Sequence, residues 1–218
     1  MTLENTAPAA RHLLVLGAGG HGRVVADAAQ ASGQWAVVAF LDDRFPNLTS
    51  AGPWPVLGSF ANLANYGTEQ WDVALGIGDN SGRAAHLERI LADGYACPAV
   101  CHPAAVISAH AIIGPASVVF ATAVVNYNAV VGRGCIVNSG AVIEHDCVLG
   151  DAAHVSPRAA LAGGVTVGAA SWIGIGASVV QGVRIGSGVR VGAGAAVLKD
   201  LPDGVTAVGV PARVVTKP

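Results

Sequence analysis

Ile107-Ser108-Ala109-His110-Ala111-Ile112-Ile113-Gly114-Pro115-Ala116-Ser117-Val118-Val119 opens a series in which Ile, Val or Leu returns at every sixth position as far as Val197, sixteen times without a miss. Four places after each aliphatic residue the side chain is small or medium, as at Ala111, Ser117, Ala123, Ala129, Cys135, Ala141, Cys147 and Ala153, and glycine often follows the aliphatic residue directly, as at Gly114, Gly132, Gly150 and Gly168. Six residues make about 1.67 turns of an α-helix, which throws successive hits onto opposite faces. The period fits a β-solenoid with one hexad per flat face and three faces per coil. Such a series gives about five coils, a prism about 26 Å long at the spacing of neighbouring strands. The aliphatic residues line its inside, and Cys135 and Cys147 sit in the small-residue slot, where packing is their role.

In a three-faced coil of hexads, residues three repeats apart stack, so the sequence reads as a lattice. Ile143-Glu144-His145-Asp146-Cys147 is the most chemically loaded rung. His145 and Asp146 fall at a corner, where in-out alternation relaxes and both can face solvent or a neighbouring subunit. One coil on lie Gly163 and Gly164, so the space above the pair lacks side chains and forms a slot in which a thioester arm can approach backbone amides. A surface histidine beside a glycine turn is the plain alternative. Asn138 and Ser139, one hexad earlier, are expected to bring further polar groups to the same corner.

The first half of the chain has a different period. Leu13 to Leu16 is a buried-strand pattern followed by Gly17-Ala18-Gly19-Gly20-His21-Gly22, a helical run from Arg23 to Ala31, and a second strand, Val37 to Leu41, ending in Asp42-Asp43. Pro46 to Pro55 reads as a loop, Val73 to Ile77 as a strand, Gly78-Asp79-Asn80 as a turn and Ser81 to Asp93 as a helix. Alternating strand and helix imply a parallel sheet, here half of a dinucleotide-binding fold. Gly17, Gly19 and Gly22 fit G-x-G-x-x-G between strand and helix, a phosphate cradle at a helix N-terminus. Read alone the motif points to NAD; the missing second half and the attached solenoid favour a sugar nucleotide, and purely structural glycines are the alternative. Cys97-x-x-x-Cys101-His102 lacks zinc spacing and reads as the linker to the solenoid. The expected domains are 1–103 and 104–218.

Composition agrees and excludes. Of 218 residues 52% are hydrophobic, 12% charged and 5% aromatic, with 29 glycines, which suits repetitive packing of small residues. A net charge of −2 with no basic run gives no case for nucleic acid. Residues 104–125 carry no charge but contain Ser108, His110, Pro115, Ser117 and Thr122 at a non-helical period, so no membrane span is expected. Met1 to Arg11 lacks the pattern of a secretory signal, the expected compartment is the cytoplasm, and the four cysteines are expected to be free thiols.

At the hexads the chain resembles the left-handed β-helix acyltransferases, and the hand of the coil is what that resemblance implies. Asn138-Ser-Gly-Ala-Val-Ile-Glu-His-Asp-Cys-Val-Leu-Gly150, His154-Val-Ser156 and Ala162-Gly163 are similar to one branch, the bacterial sialic acid O-acetyltransferases and nucleotide-linked 4-amino-sugar N-acetyltransferases. The resemblance extends over nearly the whole chain, through Gly17-Ala-Gly-Gly-His-Gly22, Phe40-Leu-Asp-Asp43, Ile77-Gly-Asp-Asn80 with Arg83, and Gly209-Val-Pro-Ala-Arg213. It implies His145 as general base with Asp146 orienting its ring, and acetyl-CoA, with no metal, beside His154, Gly163 and Ile175. A family glycine near the CoA is replaced here by Ala193, beside Gly192. It also implies nucleotide contacts from Gly20, His21, Gly22, Asp42 and Asp43, with Asp79, Asn80, Arg83, Asn138 and Ser139 completing the candidate substrate site.

The chemistry agrees with that role. An amine attacks an acyl group only when neutral, an alkylamine is mostly ammonium at pH 7, and an imidazole is the side chain suited to remove the proton. A carboxylate on the other ring nitrogen fixes the tautomer and favours the imidazolium. A backbone N–H in the glycine slot would stabilise the oxyanion by about 3 kcal/mol. His145 and His154 lie on different faces, so a site using both spans two prisms, as in a cyclic homotrimer. Arg184, Arg190, Lys199, Arg213 and Lys217 are candidates for CoA phosphates. The expected activity is acetyl-CoA-dependent N-acetylation of the 4-amino group of a UDP- or GDP-linked amino-dideoxysugar. The rivals are sugar O-acetylation and a non-catalytic nucleotide-sugar-binding scaffold.

Overall fold

The computed structural model of the chain describes residues 11–215. Lys217 and the segment before Arg11 lie outside them. The N-terminal part is built on a three-stranded parallel sheet, order β2-β1-β5, from β1 (His12–Leu16), β2 (Val37–Leu41) and β5 (Trp71–Leu75). Helix α1 (Gly20–Ser32) follows β1 and buries Val25, Ala26, Ala28 and Ala29, a small-residue face that lets it lie close to the sheet. Helix α2 (Asn80–Ala92) follows β5 and buries Leu87 and Ile90 on the other side. Strands of the sheet are apolar nearly throughout because both faces are covered. The loop expected over Pro46 to Pro55 instead contains a short antiparallel hairpin of β3 (Ser50–Ala51) and β4 (Trp54–Pro55) around Gly52, whose φ of +67° only a glycine adopts freely. Two residues per strand are too short for a periodic signal.

The hexads form a left-handed parallel β-helix with three faces. Face two is the most regular, with Val106–Ile107, Val124–Val125, Val142–Ile143, Ala160–Leu161, Ser178–Val179 and Ala196–Val197 stacked in parallel register, which makes six coils. Face three runs from Ile112–Ile113 to Arg184–Ile185. Face one begins earlier than expected, at Val100–Cys101, inside the stretch read as a linker, and ends where Thr206–Val208 pairs antiparallel with Arg213–Val215. The inward aliphatic residues and the small residues four places on, including Cys135 and Cys147, form one continuous core.

The corners obey a second period that the aliphatic pattern hides. From Ile113 to Val191, three places after each inward residue the backbone turns left-handed, at Ala116, Thr122, Asn128, Gly134, Gly140, Asp146, Ala152, Arg158, Gly164 and onward to Gly194. Many of the glycines follow from this.

The N-terminal sheet rests on the first coils of face one. Val118, Phe120 and Ile136 are buried in the same cluster as Val25 and Ala29 of α1. Among the described residues no helix is long and apolar enough to cross a membrane, and residues 104–125 are solenoid strands and corners.

Candidate active site

Between face two and face three the coil turns at Glu144-His145-Asp146, flanked by inward Ile143 and Cys147. Asp146 takes the left-handed position, φ +60°, which aspartate tolerates better than most residues. The turn brings its carboxylate back onto its neighbour, with Oδ2 2.8 Å from His145 Nδ1. An ionised carboxylate only accepts, so Nδ1 carries the proton and Nε2 presents a lone pair. The side chains are 60% and 52% exposed, open to a reactant. The amide of Asn128 donates to Asp146 Oδ1 at 2.7 Å, and that bond, then His145, holds the Asp146 carboxyl below the usual carboxylate range.

Gly163 covers the lone-pair side. A Cβ there would lie 2.5 Å from both Cε1 and Nε2 of His145, so the missing side chain is the space into which the base points. Gly164 donates its N–H to the His145 carbonyl at 2.9 Å, whereas the Gly163 N–H has no backbone acceptor among the described residues. Of the two amides expected in the slot, Gly163's is the one left to receive an oxyanion.

Asn138 and Ser139 do not join this corner. One hexad is one face, so they lie a corner away, after Ile136–Val137, and belong to a second cluster. Asn138 Nδ2 donates to His154 Nε2 at 3.2 Å, and the Asn138 side chain also accepts the Ser139 N–H. The His154 ring lies parallel to Trp172 one coil on, centroids 5.6 Å apart, and the Arg190 guanidinium lies 5.7 Å from the Trp172 ring centre. Trp172 Nε1 donates to Ser156 Oγ. Burial, with Arg83 and His21 nearby, pushes the His154 imidazole down to about 3, so it stays neutral. A largely apolar cleft of about 430 Å³ opens here, lined among others by His154, Ile175, Arg190, Gly192 and Ala193. Four of the five expected CoA contacts share this cleft, while Gly163 stands over His145.

Trp172 and Arg190 also wall a smaller cleft of about 130 Å³ shared with Gly78, Asp79, Asn80 and Ser81. The N-terminal candidates divide here. Asp79 caps α2 by accepting the Gly82 N–H. Arg83 is buried and spends all five N–H groups on the carbonyls of Gly134, Ala152, Ile77 and Gly78 and on Asn80 Oδ1, and Asn80 in turn donates to Ala170 and Ser171. These two side chains pin the β5–α2 loop to the solenoid and keep no donor for a ligand. Exchanging Arg83 for leucine should lower stability by about 3 kcal/mol or more, since buried carbonyls lose their partners. Denaturant melts read this directly, and a loss below about 1 kcal/mol would show the pin to be dispensable.

In the glycine loop, a Cβ on Gly22 would collide with the Gly17 carbonyl, so Gly22 serves the close approach of helix and strand. Gly19 and Gly20 have open space around them at the N-terminus of α1. Asp42 accepts the Ala18 N–H at 2.7 Å and pairs with Arg44, which chiefly holds its carboxyl well below the usual range. Asp43 accepts the Phe60 N–H. His21 is half-buried, edge-on to Phe120, its shielded Nε2 has no partner among the described residues, and burial lowers it to about 4. Lys199 and Arg213 share a separate cleft of about 350 Å³ at the last coil. Asn128, Trp172 and Ser156 were not among the expected site residues; the lattice reading that found Gly163 one coil above His145 finds Asn128 one coil below Asp146.

Residues 12–90 match the family model of the PglD N-terminal domain. The acetyltransferase domain of PglB from Neisseria gonorrhoeae is 44% identical with a TM-score of 0.92, over 94% of this chain and 100% of that one. That domain has also been solved in complex with acetyl coenzyme A. PerB from Caulobacter crescentus, in complex with CoA and GDP-perosamine, is 36% identical with a TM-score of 0.89, over 94% and 97%. WeeI from Acinetobacter baumannii is 26% identical with a TM-score of 0.76, over 94% and 100%. A search of curated proteins found no match. Likeness of this degree over nearly the full length, on a PglD-type domain joined to a left-handed β-helix, makes the chain a member of this family of acetyltransferases.

Proposed function

We propose that the chain transfers the acetyl group of acetyl-CoA to the 4-amino group of a UDP- or GDP-linked amino-dideoxysugar, with His145 as general base. The observation that carries the reading is the imidazole itself, with Nδ1 tied to a carboxylate and Nε2 aimed at the gap left by Gly163. His145 takes a proton from the sugar ammonium or from the attacking amine at Nε2, and Asp146 stabilises the imidazolium. The Gly163 N–H supplies the oxyanion donor. Transfer is direct. Burial first of all raises the thiols of Cys97, Cys101, Cys135 and Cys147, to about 12 for Cys97 and about 11 for Cys135, which makes each a poor nucleophile.

The apolar cleft by His154 fits the pantetheine arm, with Ile175, Gly192 and Ala193 along it and Arg190 as a cation for phosphate. The bare N-terminus of α1 at Gly19 and Gly20 fits a pyrophosphate. His154 is on face one and His145 at the corner of faces two and three, which supports a homotrimer whose sites combine one prism's His145 with the next prism's His154 cleft. The reading assigns residues 1–103 to the nucleotide sugar and 104–218 to acetyl transfer, in the cytoplasm. Likeness to the GDP-perosamine N-acetyltransferase of Caulobacter crescentus, 37% identical, supports the amine acceptor over a hydroxyl. Thiol release from acetyl-CoA should occur with UDP- or GDP-linked 4-amino sugars and not with free sialic acid. Turnover of sialic acid alone would overturn the assignment, and a stable monomer in sedimentation would overturn the shared site.

A further inference from the structure

His145 is gripped from the coil below. Asn126 Nδ2 donates to Glu144 Oε2 at 3.0 Å and Asn128 Nδ2 to Asp146 Oδ1 at 2.7 Å, so the carboxylates on both sides of the imidazole are each held by an asparagine one coil earlier. The two Asp146 oxygens are thereby divided, Oδ1 to Asn128 and Oδ2 to His145. The carboxylate cannot swing about its last torsion without giving up one of them. We infer that Asn128 is a positioning residue for the reaction, acting through Asp146 to fix the orientation of the His145 ring. This deepens the reading of His145 as base and rests on it.

The backbone alone does not explain an asparagine here. Position 128 is left-handed, φ +57°, and the corresponding places at 134, 140, 164 and 182 are glycine, the residue that adopts that conformation at least cost. Asn128 tolerates the turn and adds an amide directed at the acid of the pair. Asp146 lies in solvent, where an untethered carboxylate would sample other rotamers and leave the ring free to turn. When Nε2 takes the substrate proton, a held carboxylate meets the new charge at Nδ1 with no reorganisation. The other titratable groups of this corner column are Glu144, tied to Asn126, Tyr127 with the His110 ring tilted against it below, and Lys199 and Asp200 three coils above; Gly163, Gly164, Gln181 and Gly182 lie between.

The test is the pH profile of kcat/KM for Asn128→Ala and Asn128→Asp, with His145→Asn run beside them. Asn128→Ala should lower kcat by about 10-fold, the scale of an outer partner of a functional histidine, with KM values little changed. Its acid limb should move to lower pH, because a released carboxylate stabilises the imidazolium less. Asn128→Asp puts a second carboxylate beside Asp146 and should move the limb to higher pH. An asparagine that only serves the turn would leave the limb in place in both variants, whatever happened to their melting temperatures. If His145→Asn is inactive while neither variant shifts the limb, the inference about Asn128 is overturned alone. Near-normal turnover by His145→Asn overturns the base assignment and the inference with it.

Discussion

His145→Asn lowers kcat by about 10²-fold or more while the protein remains folded and still binds acetyl-CoA. Asparagine keeps a polar side chain of similar reach but has no nitrogen lone pair to take the proton of an ammonium group. The position is exposed at a corner and contributes nothing to the solenoid core, so unfolding is not an available explanation for the loss. Neither of the other two histidines among the expected site residues, His154 and His21, can substitute. Burial holds His154 near 3 and His21 near 4, so both are already neutral throughout the working range and neither produces an acid limb there. Loss of the acid limb, apart from the titration of the acceptor amine, should therefore accompany the fall in kcat. Measuring both against a saturating 4-amino sugar nucleotide separates the cases: a variant within a few-fold of the parent would remove His145 as the base.

How far the sequence carried this picture differs between the solenoid and the site. The inward aliphatic period is a property of every hexad, so six-residue spacing by itself places Ile143 and Cys147 inside and His145 at a corner. Spacing fixes lattice positions; it does not fix directions or partners. Nearness in sequence puts Asn138 at the His145 corner, yet one hexad spans a whole face and carries it to His154. Asp79, Asn80 and Arg83 sit at the start of α2, a segment of the right composition for a ligand, but their hydrogen bonds run to a helix cap and to solenoid carbonyls many residues away, which no local pattern encodes. The hairpin at Ser50–Ala51 is too short for a period of its own, and the strand at Val100–Cys101 is hidden because Cys101 holds the inward place, six before Ile107, where the series calls for Ile, Val or Leu. Asn128 was within reach, being related to Asp146 by the same coil step that relates His145 to Gly163.

Gly163→Ala and Gly164→Ala should separate activity from stability at adjacent positions. At 163 the backbone φ lies outside the left-handed region, so alanine adopts it without strain, but its Cβ would stand 2.5 Å from Cε1 and Nε2 of His145. The ring must move, and its tie to Asp146 resists that movement, so the displaced base and the filled slot should together cost about 10²-fold in kcat/KM, as misplacement near 1 Å can. The melting temperature should hardly change, because the neighbour that yields is an exposed side chain. At 164 the situation reverses. Its φ is +69°, its nearest neighbour is Gly182 Cα at 4.0 Å, and its N–H already bonds the His145 carbonyl, so alanine strains the turn without entering the slot. That variant should lose about 1 kcal/mol of stability and keep kcat within a few-fold. Equal behaviour of the two variants would mean that the space beside the imidazole is not where acetyl transfer takes place, since only one of the two methyl groups can reach the ring.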